Sequence, residues 1–174
     1  MDIHVRKLTK DDADAFWQLR LKGLRSSPEA FGSSYEDAVK LPPEEIQRRL
    51  GITPDNYVCG AFSDEDRLVG IVGFRRESAP KLRHKGMVWG MYVAEEARGQ
   101  GVARRLLSRL LEHAAALDGL EQAMLMVVTT NEPAVRLYES LGFARYGTEP
   151  NALHVDGRAY DEHLMVFRFP REQA

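Results

Sequence analysis

The chain has 174 residues, 44% of them hydrophobic and 29% charged, a size and balance that predict one domain with a substantial core over residues 1–174. With 24 Lys and Arg against 26 Asp and Glu, the formal net charge is -2, which excludes a broad phosphate-neutralising surface and leaves nucleic acid off the expected partners. The single cysteine, Cys59, excludes an internal disulfide framework and fits core packing; the charged N-terminus and the lack of an apolar run of roughly 20 residues predict a cytoplasmic chain with no membrane partner.

Residues Ile3 to Leu8 alternate apolar and polar side chains and read as a half-buried strand. Thr9, Asp11 and Asp12 then supply a cap and an acidic first turn for a helix to about Ser26, with Ala13, Phe16, Trp17, Leu19, Leu21 and Leu24 as its apolar residues. "SSPEAFGSSYEDAVKLPPEE" is rich in turn formers and predicts a loop leading to a second helix over Glu44 to Leu50, after Pro42-Pro43. "NYVCGAFS" and "RLVGIVGFRR" form a hairpin pattern across "DED", and "KGMVWGMYV" is a third strand.

Val102, Leu106, Leu107, Leu110, Leu111, Ala114 and Ala115 recur at helical spacing, "AMLMVV" is a buried-strand run, and Ala134, Leu137, Tyr138 and Leu141 mark a short helix that Pro133 starts and Gly142 stops. "FARYGT" and "DEHLMVFRF" complete the pattern as strands, with a polar hairpin turning at Asp156-Gly157. A helical crossover between strands 85–93 and 122–128 makes that pair parallel in an otherwise mainly antiparallel sheet.

The stretch "VAEEARGQGVARRLL" sets Gly99 and Gly101 between a strand and a helix N-terminus, where free backbone N–H groups and the helix dipole favour an anion. No Lys-Ser/Thr follows the second glycine, and Arg104 stands where a dinucleotide loop has its third, so both nucleotide patterns are disfavoured. Arg98-x-x-Gly101-x-Ala103 instead resembles the R/Q-x-x-G-x-G/A signature of the GNAT superfamily of N-acetyltransferases. Downstream, "NEPAVRLYESLGF" resembles that superfamily's N-x-x-A-x-x-x-Y-x-x-x-G-F segment at every marked position and in the right order. "AFGSSYEDA" looks like the loop between the first two helices of many members, and "GMYV" falls where their bulged strand lies.

The resemblance implies an α/β (α+β) domain: a mixed, mostly antiparallel sheet of about seven strands, about four flanking helices and a splayed central parallel pair. It implies acetyl-CoA as cosubstrate, with the pyrophosphate on Arg98, Gly99, Gln100, Gly101, Val102, Ala103 and Arg104, and the pantetheine and acetyl group along Met91, Tyr92 and Val93. Asn131 would hydrogen-bond the cosubstrate, with helix capping as its competing role. Tyr138 would protonate the departing thiolate as general acid; packing on its helix face is the competing reading.

Many protein-acetylating members of the resembled family carry a base glutamate five residues before the motif asparagine, where this chain has Met126, so that role does not transfer. Glu36 is the first candidate base, because its loop lines the acceptor side in similar proteins; Asp37, His84, His154, Asp161 and Glu162 are the others. The five histidines show no metal-ligand spacing, and no metal is expected. The expected function is transfer of acetyl to a primary amine of a small molecule or peptide. The alternative is a non-catalytic acyl-CoA-binding or sensing domain on the same fold. Dimerisation through the last strands, common in the family, makes a homodimer compatible with the resemblance.

Overall fold

The computed structural model describes residues 1–171; residues 172–174 of the expected 1–174 domain lie outside it. The chain runs β1 (His4–Lys7), α1 (Ala13–Ser26), α2 (Tyr35–Ala38), α3 (Pro43–Leu50), β2 (Asn56–Phe62), β3 (Leu68–Arg76) and β4 (Lys85–Val93). It continues through α4 (Val102–Ala115), β5 (Gln122–Val128), α5 (Glu132–Ser140), β6 (Ala144–Val155) and β7 (Arg158–Arg168). The strands form one seven-stranded sheet in the order β1-β2-β3-β4-β5-β7-β6, antiparallel except for the parallel pair β4 and β5. No helix of the described residues is long and apolar enough to cross a membrane.

Two differences from the sequence expectation have local causes. Five α-helices form, in keeping with about four expected, the extra one being a single turn: Ser34 Oγ accepts from the Asp37 backbone N–H at 3.2 Å, capping α2 inside a stretch whose composition reads as loop. β6 continues to Val155 through Pro150 because it is the outer strand of the sheet, where a missing N–H costs no ladder bond, and a register shift between Glu149 and Leu153 absorbs the irregularity.

The core lies on both faces of β2, β3 and β4. On one face α4 buries Val102, Leu106, Leu107, Leu110, Leu111 and Ala114, each fully buried leucine contributing about 2 kcal/mol. Tyr57 fixes this layer by donating its hydroxyl to the Leu110 carbonyl at 2.8 Å. On the other face α1 packs Phe16, Trp17 and Leu24, with the Phe16 and Trp89 rings edge to face at 6.4 Å. Gly73 has no Cβ because the Trp89 indole occupies that space.

Two features of β4 prepare the site. Its ladder with β5 covers only Lys85 to Met87 against Gln122 to Met124; beyond that, β4 stays with β3 and β5 with β7, so the sheet opens into a wedge. Within β4, Gly73 faces Trp89 and Ile71 faces Tyr92, so Gly90 and Met91 together oppose one β3 residue. This bulge is permitted by Gly90, whose φ of +68° belongs to the left-handed region.

Candidate active site

The wedge is lined on one side by Trp89, Gly90 and Met91 of β4 and on the other by Met126 and Val128 of β5. Asn131, Ala134 and Tyr138 of α5, Glu162 of β7 and Glu29 of the turn after α1 complete it. Helix α5 begins where β5 ends because Asn131 Oδ1 accepts from the Ala134 N–H at 3.4 Å, with Pro133 in the first turn. Asn131 therefore caps and faces the wedge at once. Tyr138, seven residues on and two turns away, brings its ring to the same wedge while packing edge to face on Phe143. It is 7% exposed, and burial pushes its pKa up to about 12.

Glu162 sits opposite Val128 of β5 and Glu149 of β6. Burial, with the Glu149 charge adding to it, raises its pKa above the usual carboxylate range. Met126 lies half-exposed on β5 at 50% and has no proton-accepting group to offer.

A second cavity of about 210 Å³ lies under the glycine loop, lined by Val93, Arg98, Gly99, Gly101, Val102, Ala103, Arg104 and Leu137. Gly99 and Gly101 have φ of +75° and +73°, and a Cβ on either would meet nothing within 4 Å. Their conformation thus demands glycine, while the space above them is open to an incoming group. Gly101 is the N-cap of α4, so the first-turn N–H groups have no intrahelical acceptor and are free to meet an anion. Arg98 donates from Nε to the Val93 carbonyl at 3.0 Å, and Arg104 from Nη2 to Ser140 Oγ at 2.7 Å. Gln100 reaches back to the Glu96 carbonyl at 3.5 Å. This donor set fits the pyrophosphate of a coenzyme.

Several expected residues lie apart from these two cavities: Gln100, Asp37, His154 and Asp161 line neither, nor do Tyr92, Glu36 and His84. Tyr92 turns its side chain to α1, with its hydroxyl 3.1 Å from Ser26 Oγ and its ring tilted on Phe31, so only its backbone faces β3. Glu36 lines a separate cavity of about 470 Å³ between the α1–α2 loop and the β6–β7 turn, together with His154 and Asp156. His84 lies where β4 and β5 are still joined, its carbonyl accepting from Glu121 and Gln122, at the closed end of the wedge. Glu29 was not legible as a site residue: it follows a proline in a loop stretch, and only the approach of that turn to β5 reveals it. Among the described residues no group of three or more His, Cys, Asp or Glu could hold a metal ion.

A bulged, opened strand pair beside a glycine loop at the next helix is the arrangement expected of an acyl-CoA-dependent transferase. The family model described as "Acetyltransferase (GNAT) family" matches residues 23–143, and the chain belongs to that family. It is 35% identical over 117 residues to the N-alpha-acetyltransferase RimI of Mycobacterium tuberculosis, covering 67% of this chain and 69% of that protein. It is 32% identical over 150 residues to a mycothiol acetyltransferase of Streptomyces scabiei, and spans 84% of this chain but only 44% of that relative. A phosphinothricin acetyltransferase from Sinorhizobium meliloti, solved in complex with acetyl-CoA, has the same fold at a TM-score of 0.83 and 18% identity, over 97% of this chain and 89% of that one.

Proposed function

We propose that the chain is an acetyl-CoA-dependent N-acetyltransferase that accepts a primary amine of a small molecule or peptide by direct attack. The observation that carries this reading is the sharing of one helix by both cavities: Leu137 walls the glycine-loop cavity and the next residue, Tyr138, walls the wedge. A ligand with its phosphates on Gly99 to Arg104 and its acyl end in the wedge would thus pass α5. Acetyl-CoA supplies the thioester carbonyl.

The protein's own groups divide the remaining work. The loop amides and Arg98 and Arg104 hold the phosphates. The Gly90-Met91 bulge interrupts the β3 ladder, and a backbone N–H released there would serve the thioester carbonyl oxygen, where a preorganised donor stabilises the developing oxyanion. Tyr138 donates its hydrogen bond to the departing sulfur. Its phenol at about 12 against a thiol near 8.5 makes free transfer uphill by roughly 5 kcal/mol, so the proton moves as the amine is being deprotonated. Glu162 takes that amine proton, its raised pKa bringing it closer to neutrality. Glu36, in the separate cavity between the α1–α2 loop and the β6–β7 turn, would act on the acceptor only at a distance, by steering it.

The test is release of coenzyme A thiol from acetyl-CoA over an amine panel, with wild type and Tyr138→Phe compared. Turnover in wild type, reduced at least tenfold in Tyr138→Phe with acetyl-CoA affinity retained, supports the assignment. Tight acetyl-CoA binding with no amine acetylated would leave a binding domain instead.

A further inference from the structure

Arg20 is the one charged side chain buried in the core of the described residues, 5% exposed, on the α1 face that carries Phe16, Trp17 and Leu24. Its Nε and Nη1 have no hydrogen-bond partner. Beside it, the Nε of Arg49 from α3 and the indole Nε1 of Trp89 from β4 are also buried and unpartnered. Burial, then the neighbouring Arg49 charge, lowers the Arg20 pKa to about 10, which leaves it a cation at neutral pH. Among the described residues no carboxylate pairs with Arg20 or Arg49, whereas the adjacent Arg48 is taken by Glu45. Donors of three residues, two guanidinium groups and an indole, converge with no acceptor, an arrangement that costs stability unless something anionic arrives.

The cluster borders the reaction centre. A Cβ at Gly90 would stand 3.0 Å from Arg20 Nη1, and Gly90 belongs to the bulge that lines the wedge. Trp89 lines the wedge and also a cavity of about 270 Å³ whose other walls are Arg48, Arg49, Asn56 and Arg75. We propose that the Arg20 and Arg49 guanidinium groups, with the Trp89 indole N–H, bind the carboxylate of the acceptor. The acceptor is then an amino acid, or another amine with a carboxylate a few bonds away. This rests on the transferase reading above and narrows it. A planar guanidinium holds a carboxylate through two parallel N–H donors, which fixes where the amine lies relative to Glu162 and the thioester. A polyamine would instead meet three arginines at this wall.

The molecule carries its own probe. Its two tryptophans, Trp17 and Trp89, are the indoles that flank Arg20, whose guanidinium carbon lies 5.9 Å and 5.3 Å from their ring centroids. Glycine, alanine, methionine and glutamate are assayed as acceptors, each as the free acid and as the α-carboxamide. The N-acetyl forms of both series are titrated against tryptophan emission. The expected result is a kcat/KM about tenfold or more higher for acids than for amides, and a saturable emission change with N-acetyl acids only.

Arg20→Met and Arg49→Met are expected to raise KM for acids about tenfold, to leave kcat within a few-fold and to erase the acid preference. Arg20→Met should also match or exceed wild-type thermal stability, because it removes an unpaired buried charge. Amides turning over as well as acids in wild type would overturn the carboxylate subsite and spare the transferase. Loss of stability in Arg20→Met with no change in carboxylate response would overturn it too, leaving Arg20 a structural cation held by aromatic faces. An Arg20-dependent emission response with no amine acetylated would retain the anion subsite and sink the transferase reading.

Discussion

Gly101→Ala separates the two demands made on the glycine loop. At φ +73° a Cβ costs about 1–2 kcal/mol whatever surrounds it, and nothing lies within 4 Å for it to strike. In a chain of this length that cost corresponds to a fall in Tm of about 2–8 °C. If the open space is the phosphate cradle, the methyl also displaces one charge-assisted N–H bond, a further 1.5–3 kcal/mol or so in binding and a Kd for acetyl-CoA raised about 10- to 150-fold. Gly157 is the matched control: φ is +78°, a Cβ there also meets nothing, and it lies at the β6–β7 turn. Thermal unfolding and calorimetric titration with acetyl-CoA should show both variants destabilised alike, with only Gly101→Ala weakened in binding. Equal acetyl-CoA affinity in Gly101→Ala and Gly157→Ala would refute the cradle.

Glu162→Gln should abolish the acidic limb of the kcat profile, whose midpoint in wild type lies above the ordinary 4.5 because burial and Glu149 raise that carboxyl; an unchanged limb assigns the base elsewhere. Tyr57→Phe removes the buried bond to the Leu110 carbonyl and should cost about 1 kcal/mol, a Tm drop of about 2–4 °C in calorimetry with catalysis unaltered. Asp55 accepts from Arg83 at 3.0 Å and Arg76 at 3.3 Å, and these bonds, Arg83 first, hold its pKa below the ordinary range. Its folded pKa being depressed, the stabilisation is full above the unfolded value near 4 and fades as pH falls through the folded one. Asp55→Asn should therefore lower Tm at pH 7 by the equivalent of less than about 1 kcal/mol, the pair being partly exposed, and the gap to wild type should close near pH 2.

Period and punctuation in the sequence located the sheet, the crossover and the loop, because Val102 to Ala114 at helical spacing and Gly99 and Gly101 before it are local signals. Base candidates were less legible. Glu36 and Glu162 are both acidic residues in polar stretches, and only the pairing of β7 with β5 brings Glu162 to the wedge. The bulge, at Gly90-Met91, falls inside the expected "GMYV" stretch; which of those four residues bulge is not a local signal, since a register shift needs the partner strand to be defined. Arg20 does leave a trace in the sequence. It stands four residues after Phe16, three after Trp17 and four before Leu24, squarely on an apolar helical stripe where a charged side chain needs a reason.

Cys59, fully buried in β2 with its thiol pushed up to about 12, has a use at the bench. Burial both keeps the thiol protonated at pH 8 and shields it from solvent in the folded chain. A chromogenic disulfide reagent that counts released coenzyme A therefore reads no background from the native protein. In denaturant the same reagent finds one thiol per unfolded chain, so turnover and global opening can be followed with one chromophore and no introduced label.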